Sequence, residues 1–116
     1  MNDNELKKVL AVVHGLLPDE KNPTPQVVDF TAECIDMIRL YAKKNHDYGD
    51  SFHLTYLEEG MAMPRIRLSD KFNRFKTLSR TNQLVNDESI KDTLLDLANY
   101  AIMTVLEIEQ AEGKFD

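Results

Sequence analysis

The sequence predicts an all-α fold, a small helical bundle of about four main helices. Three observations predict it. No run alternates apolar and polar residues long enough to form a strand. Several segments repeat apolar residues at helical spacing, and the four Gly and four Pro fall where helices should start or stop. At 116 residues, the chain is expected to form a single domain over 1–116, with room for one core and not two.

Each element has its own signal. Residues 1–18 carry NELKKVLAVVHGLL, a short apolar-periodic helix ended near Gly15 and Pro18. Residues 19–24 form a connector. Thr24 and Pro25 make a helix start, a capping hydroxyl followed by proline at the first helical position. From there to about Asn45, Val27, Val28, Thr31, Cys34, Ile35, Ile38, Tyr41 and Ala42 gather on one face. Cys34 and the Phe30 and Tyr41 rings read as core. HDYGDS reads as a turn, with Gly49 able to take a left-handed conformation. FHLTYLEEGMAM fits a short helix or an irregular loop equally well. Pro64 can open a third helix to about Ser79, with Leu68, Phe72, Phe75 and Leu78 as its apolar stripe. Asn86 or Asp87 caps a last helix from Glu88 to about Glu112, and Gly113 stops it.

Composition narrows the function classes. Hydrophobic residues make up 42% and charged residues 29%, as in an ordinary globular protein. A net charge of −6 and a pI near 5.0 disfavour polymeric nucleic acid and anionic membranes, whose phosphates repel an acidic surface. A small nucleotide is compatible, given a divalent cation and a few Lys or Arg to bridge the charges. One cysteine excludes an intramolecular disulfide and a cysteine-rich zinc site. No apolar run approaches the roughly 18 residues of a membrane span. MNDNELKK lacks an apolar signal core, so the expected location is the cytoplasm.

The last helix carries the densest chemistry. Glu88, Asp92, Asp96 and Asn99 fall within about 80° of one another on its surface. From Leu94 onward the same helix is apolar nearly all round and should be largely buried. Asp96 and Asn99 then lie in or beside a core, where an unpaired carboxylate costs several kcal/mol. Either basic partners or a hard cation such as Mg²⁺, which favours one or two carboxylates plus phosphate oxygens, would compensate. The third helix supplies the opposite wall if the two pack antiparallel. Asp70, Asn73, Arg74 and Thr77 share a face, with Arg67 and Lys71 on the same polar side. Asp29, Glu33 and Asp36 on the second helix read as a solvated stripe, and His14 and His53 as ordinary positions. A helix apolar all round is hard to cover within so few residues, so a homo-oligomer, a dimer or tetramer, is expected to complete the bundle.

Three ordered motifs carry a resemblance: K-x-x-D-Y-G-x-S (Lys44, Asp47, Tyr48, Gly49, Ser51), R-x-S-D-K-x-x-R (Arg67, Ser69, Asp70, Lys71, Arg74) and D-E-S-x-x-D-T-L-x-D-L-A-N-Y-A (Asp87 to Ala101). Over about residues 30–108 the chain resembles the nucleotide modification associated domain 1 family of phages and bacteria. The resemblance implies a relation to the all-α nucleotide pyrophosphohydrolases of the MazG and dimeric dUTPase type. On that pattern Asp70, Glu88, Asp92 and Asp96 would hold Mg²⁺, and Glu88, Asp92 and Asp96 would form the catalytic set. Glu88 would orient the attacking water. Arg67, Lys71 and Arg74 would neutralise the polyphosphate, while Lys44, Asp47, Tyr48, Ser51 and Asn99 would complete substrate binding. The sequence departs from those hydrolases in its acid spacing, in Asn99 where an acid is expected, and in Asp70 as the sole acid of the third helix. A non-catalytic nucleotide-binding accessory protein and a purely structural helical module therefore stand beside the hydrolase reading.

Overall fold

The computed structural model describes residues 1–48, 50–80 and 88–114, without the side chains of Asp47, Tyr48 and Glu88. Five helices account for its regular structure: α1 (Asp3–Leu16), α2 (Pro25–Tyr48), α3 (Ser51–Glu59), α4 (Ala62–Ser79) and α5 (Glu88–Ala111). The chain is all-α, as the absence of period-two patterning predicts. Its contacts divide it into two compact units, Met1–Asp47 and Tyr48–Asp116.

The first unit is built from α1 and α2. Asn2 caps α1, its side-chain oxygen accepting from the Glu5 N–H at 2.8 Å while its amide donates to the Glu5 carboxylate at 3.2 Å. Thr24 caps α2 as its position before Pro25 predicts, Oγ1 accepting from the Val27 N–H at 3.3 Å. Val9, Val13 and Val28 form the buried cluster, with Leu10, Ala32 and Ile35 packed against it and Cys34 half-buried. The expected apolar face of α2 is only partly covered. Phe30 is 71% exposed, Ile38 65% and Tyr41 36%, so the two rings are not core residues. The acids Asp29, Glu33 and Asp36 are exposed, and Asp36 pairs with Arg39 at 3.4 Å. The helix also runs three residues past Asn45. His46, Asp47 and Tyr48 continue it where a turn is expected, since none of them forbids helical backbone. Gly49, the expected left-handed residue, lies outside the described residues.

The second unit holds α3, α4 and α5, with α4 packed against both neighbours. The ambiguous segment after Asp50 is a nine-residue helix. It ends at Gly60, whose φ of +66° and ψ of −152° turn the chain into α4. That helix begins at Ala62, two residues before the proline expected to open it. Pro64 is tolerated at its third position because the first four N–H groups of a helix have no intrahelical acceptor. There it is buried beside Met63. Helices α4 and α5 pack antiparallel, with Lys71 against Asp96 and Arg67 and Tyr100 around one recess. The expected cap at Asn86 or Asp87 lies outside the described residues. The C-terminal stop is as expected: Gly113 adopts φ +81°, and the N–H groups of Gly113 and Lys114 donate to Gln110 and Glu109.

Two expected faces are rotated. On α4 the partly covered line is Leu68, Lys71, Phe75 and Leu78, while Phe72 is 49% exposed with the Lys76 ammonium 5.0 Å from its ring centre. On α5 the inward line runs Thr93, Asp96, Leu97, Tyr100, Thr104 and Glu107. Leu94, Ala101, Val105 and Ile108, expected to be buried, face outward. The two buried threonines are satisfied by donating to carbonyls one turn back, Thr93 to Ser89 at 2.6 Å and Thr104 to Tyr100 at 2.7 Å.

Candidate functional site

Arg67, Asp70, Lys71 and Arg74 stand at i, i+3, i+4 and i+7 on α4, so a single helix places all four side chains along one strip. Antiparallel packing lays Tyr100 of α5 across that strip. Together the five line a recess of about 210 Å³. Drug-sized ligand pockets run from about 300 to 1,000 Å³, so this recess suits a phosphate-sized group with the rest of a ligand outside.

The charges of the recess are unevenly engaged. Lys71 Nζ lies 3.1 Å from Asp96 Oδ2, and both side chains are about three-quarters covered, 28% and 23% exposed. Lys71 thus sits where an apolar stripe would place a hydrophobic residue, because the facing helix presents a carboxylate rather than a methyl group. Arg67, Asp70 and Arg74 are exposed and make no ion pair among the described residues. The strip therefore offers two uncommitted guanidinium groups and one carboxylate, plus an ammonium shared with α5.

Tyr100 is held from behind by α3. Phe52 stacks on it with ring centres 6.0 Å apart and planes at 24°. One residue further on, His53 Nδ1 lies 2.7 Å from Glu107 Oε2, and Glu107 is only 8% exposed. That hydrogen bond raises the His53 pKa above its ordinary 6.5. Partial burial opposes it, and the Glu107 and Asp50 charges add to the rise. His53 is therefore no ordinary position. It pins α3 to α5.

The expected site residues divide into groups. Arg67, Asp70, Lys71 and Arg74 come together, and Asp96 joins them through Lys71. Asp92 is exposed and does not line the recess; Asn99 is half-buried and Ser51 exposed, both also off its walls. The carboxylate stripe separates because a step of four residues advances about 40° around a helix, so Asp96 turns inward while Asp92 stays in solvent. Lys44 is exposed on α2 in the first unit. Asp47, Tyr48 and Glu88 lie outside the described side chains. Among the described residues, no three His, Cys, Asp or Glu stand close enough to hold a metal ion. Among the described residues, Asp70 is the one carboxylate that lines the recess.

Tyr100, His53 and Glu107 are the residues that sequence reasoning missed. Tyr100 had a usable signal, since it follows Asp96 by four and so shares its face. His53 and Glu107 had none, being 54 positions apart.

A family model described as nucleotide modification associated domain 1 matches residues 44–108, which include α3, α4 and most of α5. No curated protein and no solved structure matches the chain.

Proposed function

The chain belongs to the nucleotide modification associated domain 1 family, and from that premise we propose that the α4 strip binds the phosphates of a nucleotide. One observation carries the proposal: Arg67, Lys71 and Arg74 converge from a single helical face on one recess. Guanidinium groups match phosphate oxygens in pairs, and Arg67 and Arg74, beside the Lys71 ammonium shared with Asp96, offset the charge of a polyphosphate that an acidic protein would otherwise repel. The recess volume favours phosphate inside and base outside, with the Tyr100 ring as an apolar wall for the sugar or base. Mg²⁺ would enter with the nucleotide and meet Asp70. A free nucleotide pool is cytoplasmic, which is where such a protein would act.

Isothermal titration calorimetry against a panel of nucleoside triphosphates and pyrophosphate, with and without Mg²⁺, tests the reading. Arg67→Ala and Arg74→Ala should each weaken binding about tenfold, the size of one charge-assisted contact. No affinity for any member of the panel, or affinity indifferent to both substitutions, would overturn it. Pyrophosphate release in the same mixtures distinguishes a pyrophosphohydrolase from an accessory binding protein. Turnover abolished by Asp96→Asn would identify the hydrolase.

A further inference from the structure

The outward face of α5 is not a random scatter of apolar residues. Leu94, Ala98, Ala101, Val105 and Ile108 follow steps of four, three, four and three, the spacing of a helix-pairing seam. Leu94 is 40% exposed, Val105 48% and Ile108 39%, Ala101 is exposed and Ala98 half-buried, and Ile102 flanks the seam at 52%. The same stepping extends to Lys91 at one end and Glu112 at the other, both exposed and neither in an ion pair among the described residues.

We propose that this seam is a homodimer interface in which two α5 helices pair antiparallel about a two-fold axis at Ala101. That register matches the apolar residues and the charges at both ends at once. Leu94 then faces Ile108 of the second copy, Ala98 faces Val105, and Ala101 faces itself. Larger side chains flank a centre small enough for the two backbones to approach closely. Lys91 of each copy meets Glu112 of the other at both ends, so the charges pair only if the helices run in opposite directions. A parallel pair would set Lys91 against Lys91 and Glu112 against Glu112. The seam is about 32 Å long at 1.5 Å per residue, and one helix pair of that length falls at the low end of specific interfaces. The dimer is therefore a reversible one whose population depends on concentration.

Sedimentation equilibrium of the full chain at low salt, across concentrations, tests this. The wild type should show a monomer–dimer equilibrium. Ala101→Arg, a good helix former at an exposed position, should be monomeric throughout while keeping the wild-type helical circular dichroism. Lys91→Glu and Glu112→Lys should each weaken dimerisation about fivefold, and the double swap should restore it. A wild-type monomer at every concentration overturns the proposal, whether the seam is covered by another part of the chain or by a different protein. So does a dimer that survives Ala101→Arg. A dimer sensitive to Ala101→Arg but indifferent to both single charge changes overturns the antiparallel register.

Discussion

Lys71 ties α4 to α5, and removing it should show how much. At 3.1 Å, in an effective dielectric of about 20, its bare attraction to Asp96 is about 5 kcal/mol. Both side chains are about three-quarters covered, so the cost of stripping their water takes back most of that gain. The surplus is about 1–2 kcal/mol, the range of a hydrogen bond between charged groups. Lys71→Met should cost at least this surplus, because it takes the ammonium away from a carboxylate that is about three-quarters covered. A double-mutant cycle with Asp96→Asn isolates the pair itself, whatever else Asp96 touches. Urea denaturation followed by circular dichroism at constant m-value gives the four stabilities. A coupling energy within about 0.3 kcal/mol of zero, the ordinary scatter of independent sites, would mean that water screens the pair fully and that the reasoning from burial fails.

Two further outcomes follow from particular contacts. The raised pKa of His53 means that protonated imidazole is bound more tightly in the folded chain than in the unfolded one. Its stabilisation is thus complete below about pH 6.5 and fades as pH rises through the higher folded value. His53→Gln should flatten the loss of urea midpoint between about pH 6 and pH 9, and an unchanged slope would refute the assignment. In the first unit, Val13→Ala removes two methyl groups from a side chain only 1% exposed, with an expected cost of about 2 kcal/mol in chemical denaturation. A cost below about 0.5 kcal/mol would show that α1 does not rely on that cluster.

Much of the fold was legible because helix ends have local chemistry. Thr24 with Pro25, and Gly113, act on backbone groups within four residues of themselves, so position alone identifies them. The α4 strip was legible in part: spacing groups Asp70 and Arg74 with Asn73 and Thr77, whereas the recess groups them with Arg67 and Lys71. Facing direction was a different matter. Leu68 can be followed inward by Lys71 or by Phe72, three or four residues on, and hydrophobicity chooses Phe72. The structure chooses Lys71, because Asp96 stands across from it. On α5 apolar residues cover most of the circumference, so periodicity names no inward face, and the line through Thr93, Tyr100, Thr104 and Glu107 is set by what α3 and α4 present. The His53 and Glu107 pair is the limiting case, a contact made wholly by tertiary packing. The end of α2 failed for a local reason: His46, Asp47 and Tyr48 look like a turn, yet none of them requires one.

Gly60 separates two ideas of tolerance that usually travel together. A side-chain carbon added there would meet nothing within 4 Å, so any ranking by clash would mark the position as free to vary. Its backbone says otherwise, for φ +66° with ψ −152° is a region open in practice to glycine alone. Any other residue would have to re-aim the chain between α3 and α4. A position with open space around it is thus among the most constrained in the second unit, and the direction in which α3, with Phe52 and His53, approaches α5 depends on it.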